Sequence, residues 1–331
     1  MHDVAELAGV SIKTVSNVVN GYPYIRPGTK QRVEDAIAEL GYRVNLTARS
    51  LRQGRSRIIG LAVPELSLPY FAELADMIMR VAERRGVMVL IEQTSASRER
   101  EAEMLTNPLR HLTDGLIFSP LALGQDDAAL FDVDFPMVLL GERVFDAGSD
   151  HVTMNNVHAA RAATTFLIER GHRRIVLLGA HIGEKVGSAA LRTQGYAMAL
   201  AAAGIGWDDA LVAEVDPWHR ATGAAAMDRL LDAGVEFDAV FGLNDAVALG
   251  ALHALHGRGL RVPEDVAVLG FDDTEEASYA MPTLTSVAPG RDQIAETAVR
   301  FLLERIDGTA PAEHRRVVTG FEIVERASTA G

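Results

Sequence analysis

The chain contains no cysteine, which excludes a disulfide framework and any thiolate metal site. No uninterrupted apolar run approaches the roughly 18 residues needed to span a membrane. The opening MHDVAELAGV lacks the basic, apolar and small-residue blocks of a secretory signal, so a cytoplasmic protein is expected. A basic excess is also missing: the formal net charge is -13, which argues at first sight against a phosphate-gripping protein. The average conceals an asymmetry. Residues 1–57 carry nine Lys or Arg against five Asp or Glu, a balance of +4, and leave -17 on the rest. A small basic head on a large acidic body suggests that only the head meets a polyanion.

Enzyme motifs are equally scarce. The stretch LGAHIGEKVG lacks the Gly-Lys-Ser/Thr of a phosphate loop. FDDTEE offers adjacent acids, but the two carboxyls of a glycosidase must face each other across a substrate. His253 and His256 lie three apart with no third ligand nearby, which reads as helix surface rather than a metal site. No catalytic residue, metal or cofactor is expected.

What the sequence does contain, in 331 residues of which 48% are hydrophobic, is room for two or three domains. Beyond residue 57, short β-branched runs (RIIGLAV, VMVLIEQ, GLIFS, MVLLG, then RIVLLGA, LVAEV, DAVFGL, VAVLGFDD) alternate with helical patterns. Phe71, Leu74, Ala75, Ile78, Val81 and Ala82 show the helical stripe. Such alternation implies parallel sheets wrapped by helices. A break near 157–173 divides the runs evenly, predicting two doubly wound α/β subdomains with a cleft between them.

Residues 1–57 show no convincing strand. In DVAELA, the residues Val4, Leu7 and Ala8 are expected to face inward, and Gly9 lets the chain turn. In SIKTVSNVVN, Ser11 can cap a helix whose Val15, Val18 and Val19 form a narrow stripe, with Lys13, Ser16, Asn17 and Asn20 on another side. Two short helices joined at a glycine make a helix-turn-helix candidate. A capping helical hairpin with a solvated polar face fits the periodicity as well.

The whole stretch DVAELAGVSIKTVSNVVNG, with TKQRVEDAIAELGYRVNLTARSL after it, resembles the headpiece of the lactose and galactose repressor family. RTQGYAMAL, LNDAVALGAL, VPEDVAVLGFDD and the terminal FEIVERAST resemble that family's sugar-binding core, which is related to periplasmic binding proteins. The resemblance implies a helix-turn-helix headpiece at 1–44, a hinge helix and linker at 45–57, and an effector-binding and dimerisation core at 58–331. Within the core the N-subdomain takes 58–157 and 288–312, and the C-subdomain takes 158–287 and 313–331. By position in the motif, Ile12, Lys13 and Asn17 would face base edges in the major groove. Ser11, Thr14, Ser16, Asn20, Thr29 and Tyr42 would meet phosphates, and Asn45, Ala48 and Leu51 would enter the minor groove. Lys13 can donate to guanine, Asn17 can pair with adenine, and Ile12 can pack on a thymine methyl. Leu51 is an apolar wedge of the kind that kinks a duplex, or else a leucine packed under the next domain.

There are departures from the family pattern. Position 17 is usually Arg, so Asn17 should move base preference away from guanine. Arg26 stands where a capping residue normally precedes Pro27, and the chain begins a few residues later than is usual, leaving the first helix without its ordinary cap.

In the core the resemblance makes Arg192, Asn244 and Asp272 the polar ligand contacts, Trp218 an aromatic platform, and Leu68, Tyr70 and Phe71 the closing wall. Where the family often carries Asp after the fourth strand, this chain reads VLLGERV. Glu142 would replace that carboxylate, or Gly141 would open the pocket to a larger saccharide. Acceptor, amide and planar fork suit a polyhydroxylated ligand. Singly, Arg192 also reads as a helix-surface charge, Asp272 as a turn former and Trp218 as a partly buried aromatic. The implied protein is a homodimeric repressor of a pseudo-palindromic double-stranded DNA operator, released or tightened by a small sugar or oligosaccharide. A non-regulatory sugar-binding protein, a purine- or nucleoside-responsive regulator and a saccharide-cleaving enzyme are the alternatives.

Overall fold

The computed structural model describes residues 1–19, 22–42, 55–106 and 112–330. Two compact units are present, Met1–Ser56 and Arg57–Gly331.

The first unit contains α1 (His2–Ala8), α2 (Ile12–Val19) and α3 (Pro27–Glu39). Gly9 takes the left-handed conformation, with φ 63°, that ends α1 and turns the chain into α2. Ser11 Oγ accepts from the Thr14 amide at 3.1 Å and caps α2. Pro27 opens α3 behind Arg26, whose side chain makes no cap. Val4, Ala5, Ala8, Val15, Val18, Val33 and Ala36 form a small core. Leu7, expected to face inward, is instead exposed, and Ala5 takes its place. Positions 4, 5 and 8 form one continuous arc of a short helix lying on two neighbours.

In the second unit the described residues form two six-stranded sheets. The first contains β1 (Ile58–Val63), β2 (Met88–Gln93), β3 (Leu116–Phe118), β4 (Met137–Leu140) and β5 (Asp150–Thr153), with α4 (Pro69–Arg84) and α5 (Arg98–Thr106) among the connections. After α6 (Asn156–Glu169), the second is built from β6 (Ile175–Ala180), β7 (Val212–Glu214), β8 (Ala239–Gly242), β9 (Ala267–Phe271) and β10 (Thr285–Ala288). Its helices are α7 (Ser188–Ala202), α8 (Arg220–Asp232), α9 (Asp245–Gly257) and α10 (Glu275–Tyr279). The chain then forms α11 (Arg291–Ile306), β11 (Arg316–Val318) and β12 (Glu322–Val324).

The sheet orders are β11-β5-β4-β3-β1-β2 and β12-β10-β9-β8-β6-β7, the same doubly wound order twice, each with one strand added by the C-terminal segment. All pairings in the first sheet are parallel; in the second only β10 with β12 is antiparallel. Helices cover both faces, so β6 is buried along its whole length and β1 at all but its first residue. On α4 the predicted stripe is buried at Leu74, Ala75, Ile78, Val81 and Ala82.

The chain crosses between lobes after β5, after β10 and after β11. The third crossing lies further along than the sequence implies: Arg316–Val318, expected in the C-subdomain, pairs with β5 in the first sheet, and only β12 returns to the second. Asp150 accounts for the placement. Fully buried on β5, it accepts from the Arg315 amide at 2.8 Å and Nη2 at 2.7 Å, and from Arg305 Nε at 3.0 Å and Nη2 at 2.9 Å. The three crossings are bonded together at buried Thr319, whose amide donates to Thr153 O (2.9 Å) and whose hydroxyl donates to Pro289 O (2.8 Å). Gly290 sits against them with φ 74°, and a Cβ there would lie 2.8 Å from Gly320 O. No helix among the described residues is long and apolar enough to cross a membrane.

Candidate functional site

In both sheets the order reverses beside the first strand, between β1 and β3 and between β6 and β8. Open α/β sheets bind ligands at the carboxyl ends of strands flanking such a reversal. The two reversals border one cavity of about 410 Å³, within the range of small-molecule sites. Leu68, Tyr70, Phe71, Glu142, Arg192, Trp218, Asn244 and Asp272 all line it, so the structure brings together every core residue singled out above.

Arg192 projects from α7 and is 2% exposed, which excludes the surface-charge alternative. Its Nε donates to Asn156 Oδ1 at 2.7 Å and its Nη1 to the Leu243 carbonyl. The guanidinium lies 3.5 Å from the Phe271 ring centroid and 5.5 Å from that of Trp218. Its Nη2 is 3.9 Å from Asp272 Oδ1, an ion pair without a close hydrogen bond. Burial pushes Arg192 below its ordinary value, against the pull of Asp272 and Glu142. Asp272, with φ 116° at the end of β9, is pushed up, first by burial and against the charge of Arg192. Asp245, the first residue of α9, is likewise pushed up by burial, opposed by its bonds from Ser286 and Thr274. Ser286 Oγ donates to Asp245 at 2.5 Å, and Thr274 donates through its amide at 2.7 Å and its hydroxyl at 3.1 Å.

Asn244 caps α9: its Oδ1 accepts from the Val247 amide at 2.8 Å, and its Nδ2 donates to Trp218 O at 3.3 Å. One amide hydrogen and one lone pair remain for a ligand. The Trp218 indole N–H donates to Gly179 O at 2.8 Å. Gly179 makes that carbonyl available by adopting φ 119° at the register shift between β6 and β7, where a Cβ would lie 3.0 Å from Leu243. The Tyr70 hydroxyl has no protein partner among the described residues, and burial with the nearby Asp272 charge raises its pKa. Tyr70 and Phe71 meet edge to face, centroids 5.1 Å apart.

Glu142 does occupy the cavity wall, but its oxygens are taken. Oε1 accepts from Thr153 Oγ1 (2.9 Å) and the Met154 amide (3.1 Å), and Oε2 from Ser188 Oγ (2.7 Å) at the start of α7. It therefore joins the lobes and sits at a helix N-terminus, where negative charge is favoured.

Sequence reasoning did not single out His181, Glu184, Arg143, Ser119, Glu65 or His219, which also line the cavity. His181 Nδ1 meets Glu184 Oε2 at 2.8 Å and its Nε2 meets Val215 O at 3.0 Å. Two acceptors on one imidazole favour the cation, and its pKa is raised chiefly by Glu184. Arg143 Nη1 reaches Glu184 across the cleft at 3.4 Å, and His219 Nε2 meets Glu65 Oε2 at 2.9 Å. The Glu65 carboxyl is lowered, first by the Ser67 hydroxyl and further by His219. The recoverable signal was position: Ser119 ends a predicted strand, and each of the others follows one.

In the first unit, Lys13 is exposed, and Thr14, Ser16, Asn17, Thr29 and Tyr42 are half-buried. Ser11 is exposed but engaged in its cap, with Oγ also 2.9 Å from Thr14 Oγ1. Ile12 and Tyr42 pack against the small core. Asn20, and the hinge positions Asn45, Ala48 and Leu51, lie outside the described residues.

A three-helix unit followed by a two-lobed cleft core defines a ligand-responsive DNA-binding regulator. Residues 1–45 match "Bacterial regulatory proteins, lacI family" and residues 164–329 match "Periplasmic binding protein-like domain". A LacI-family structure from Sanguibacter keddieii is 52% identical, with TM-score 0.77, covering 84% of this chain and all of that one. A CelR–cellobiose complex is 33% identical with TM-score 0.73, covering 99% and 98%. The lac repressor dimer bound to operator and the anti-inducer ONPF is 29% identical with TM-score 0.85, covering 99% and 98%. The chain belongs to the lacI family of bacterial transcription regulators.

Proposed function

We propose that this chain is a repressor that binds a two-fold operator as a homodimer and that a small sugar or oligosaccharide in the cleft controls its operator affinity. The observation that carries the reading is the chemistry of the cavity. Among the described residues, the side-chain oxygens of Tyr70, Ser119 and Asp272 have no close protein hydrogen bond, and they line the cavity with Trp218 and Phe71. Oxygens that open onto the cavity in this way are placed to meet a ligand's donors, and alternating hydroxyls and apolar C–H faces suit them and the aromatic rings together. The cellobiose complex of a relative supports the choice. Two headpieces suit a two-fold operator, with Lys13, Asn17 and Ile12 toward base edges, the phosphate set around them, and 45–57 as the hinge. Glycoside cleavage fits poorly, because Glu142 is committed to three donors.

Ligand that bridges the lobes favours one closure angle and thereby one hinge state, provided its affinity differs between states. The test is a thermal-shift screen with mono- and oligosaccharides, nucleosides and purines, followed by selection from random DNA with and without each hit. A saccharide at 100 times its Kd stabilises by about 2.7 kcal/mol and changes retention of a palindromic site. A melt moved only by purines or nucleosides, or turnover of the sugar, overturns the reading.

A further inference from the structure

We propose that Glu101, remote from every predicted site position, is a positioning residue for the effector cavity. The inference rests on the effector reading above. Glu101 lies on α5, is 0% exposed, and faces three consecutive main-chain amides. Its Oε1 accepts from Leu121 (2.8 Å) and Ala122 (3.0 Å), and its Oε2 from Ala122 (3.0 Å) and Leu123 (2.7 Å). These amides belong to the segment after β3, and its Ser119, Pro120, Leu121 and Ala122 form one wall of the cavity.

A buried carboxylate is an expensive way to pack a helix onto a sheet. Leu105, on the same helix, does that work with an apolar side chain. What the carboxylate adds is direction: both oxygens must meet N–H groups, so three successive peptide planes turn inward together. The carbonyls and side chains of 121–122 are thereby oriented as well. An ion pair holds the far end of the segment, where Asp127 accepts from the Gly124 amide (3.0 Å) and Arg98 Nη1 (2.6 Å). Between the anchors and β3 stands Ser119. Its amide is fixed to Ala62 O at 3.0 Å, and its hydroxyl has no protein partner among the described residues. Glu101 thus sets where that free hydroxyl and the Leu121–Ala122 wall stand, without touching the ligand. Glutamine at 101 would keep the shape but present one N–H to N–H groups.

The test combines Glu101→Gln, Ser119→Ala and the double variant in the full-length protein. Without ligand, amide exchange at Leu121, Ala122 and Leu123 should quicken about tenfold or more in Glu101→Gln while β1 and β3 stay protected. Unchanged protection there, or uniform loss across the lobe, overturns the proposal. With cellobiose as the probe, each single variant should weaken binding about five- to tenfold. The double variant should lie close to Glu101→Gln alone, because Ser119 matters only when held in place. Multiplicative losses overturn the proposal. If cellobiose fails to bind the unaltered protein, the choice of that sugar is at fault, and the exchange result alone decides for or against Glu101.

Discussion

Replacing Asp150 with asparagine tests how firmly the returning strand holds the first lobe. Burial alone would raise this carboxyl, yet hydrogen bonds from Arg305 and Arg315 outweigh it and hold the pKa at about 2, against an ordinary 3.8. At about 1.4 kcal/mol per pH unit, that difference amounts to roughly 2.5 kcal/mol of native stability at neutral pH. Asp150→Asn also strips the charge partner from two half-buried arginines. Arg315 keeps Glu304, so the loss should fall near the lower end of the range for a broken buried pair, about 3 kcal/mol. The sign follows from the depressed value: the stabilisation is present above the unfolded pKa and is lost as pH falls through the folded one. The gap between the two proteins should therefore be constant from pH 7 to about 5 and shrink to roughly half by pH 3. Urea unfolding at several pH values, with exchange at β5 and β11 amides as the local probe, measures it. A gap under about 1 kcal/mol at pH 7, or one that does not narrow toward pH 3, would refute the account.

Asp272→Asn replaces a cavity carboxyl that makes no close side-chain hydrogen bond to the described residues and should weaken a bound saccharide by about tenfold or more; calorimetry showing equal affinity would exclude Asp272 from the contact set. Asn17→Ala should relax preference at one base of each half-site, whereas Lys30→Ala should weaken all sequences alike and lower the salt slope by about one. Identical motifs from random-DNA selection of the parent and Asn17→Ala proteins would remove Asn17 from base reading. Gly290→Ala places a Cβ against Gly320 O at left-handed φ, costing roughly 1–2 kcal/mol from the backbone alone. A melting temperature within a degree of the parent would show that the crossings yield easily.

Six of the strands legible in the sequence, β1, β3, β4, β6, β8 and β9, are buried along nearly their whole length and read as apolar runs, whereas β2 and β7, at the sheet edges, are more exposed and were legible from their β-branched residues. Four others were not. DHVT, TSVA, RVV and EIV are three or four residues long, and Asp150 and His151 look like loop residues until the partners of Asp150 appear some 150 positions later. The same distance explains the misplaced third crossing. Among site residues, all eight core positions to which the resemblance drew attention line the cavity, but it could not reveal what each is already bonded to. Glu142 and Asn244 turned out to be largely occupied by the protein itself, whereas Ser119, an ordinary serine in the sequence, has a hydroxyl with no partner among the described residues.

The junction at Thr319 has a mechanical consequence. Because the three chain crossings are bonded side by side, a rotation of one lobe against the other that spared these bonds would have to turn about this junction. The cross-lobe contacts elsewhere, the Ser188 bond to Glu142 and the pairing of Arg143 with Glu184, act as torques about the same line. Torques about one line add, so weak and chemically unrelated contacts around the rim can together set the angle between the lobes.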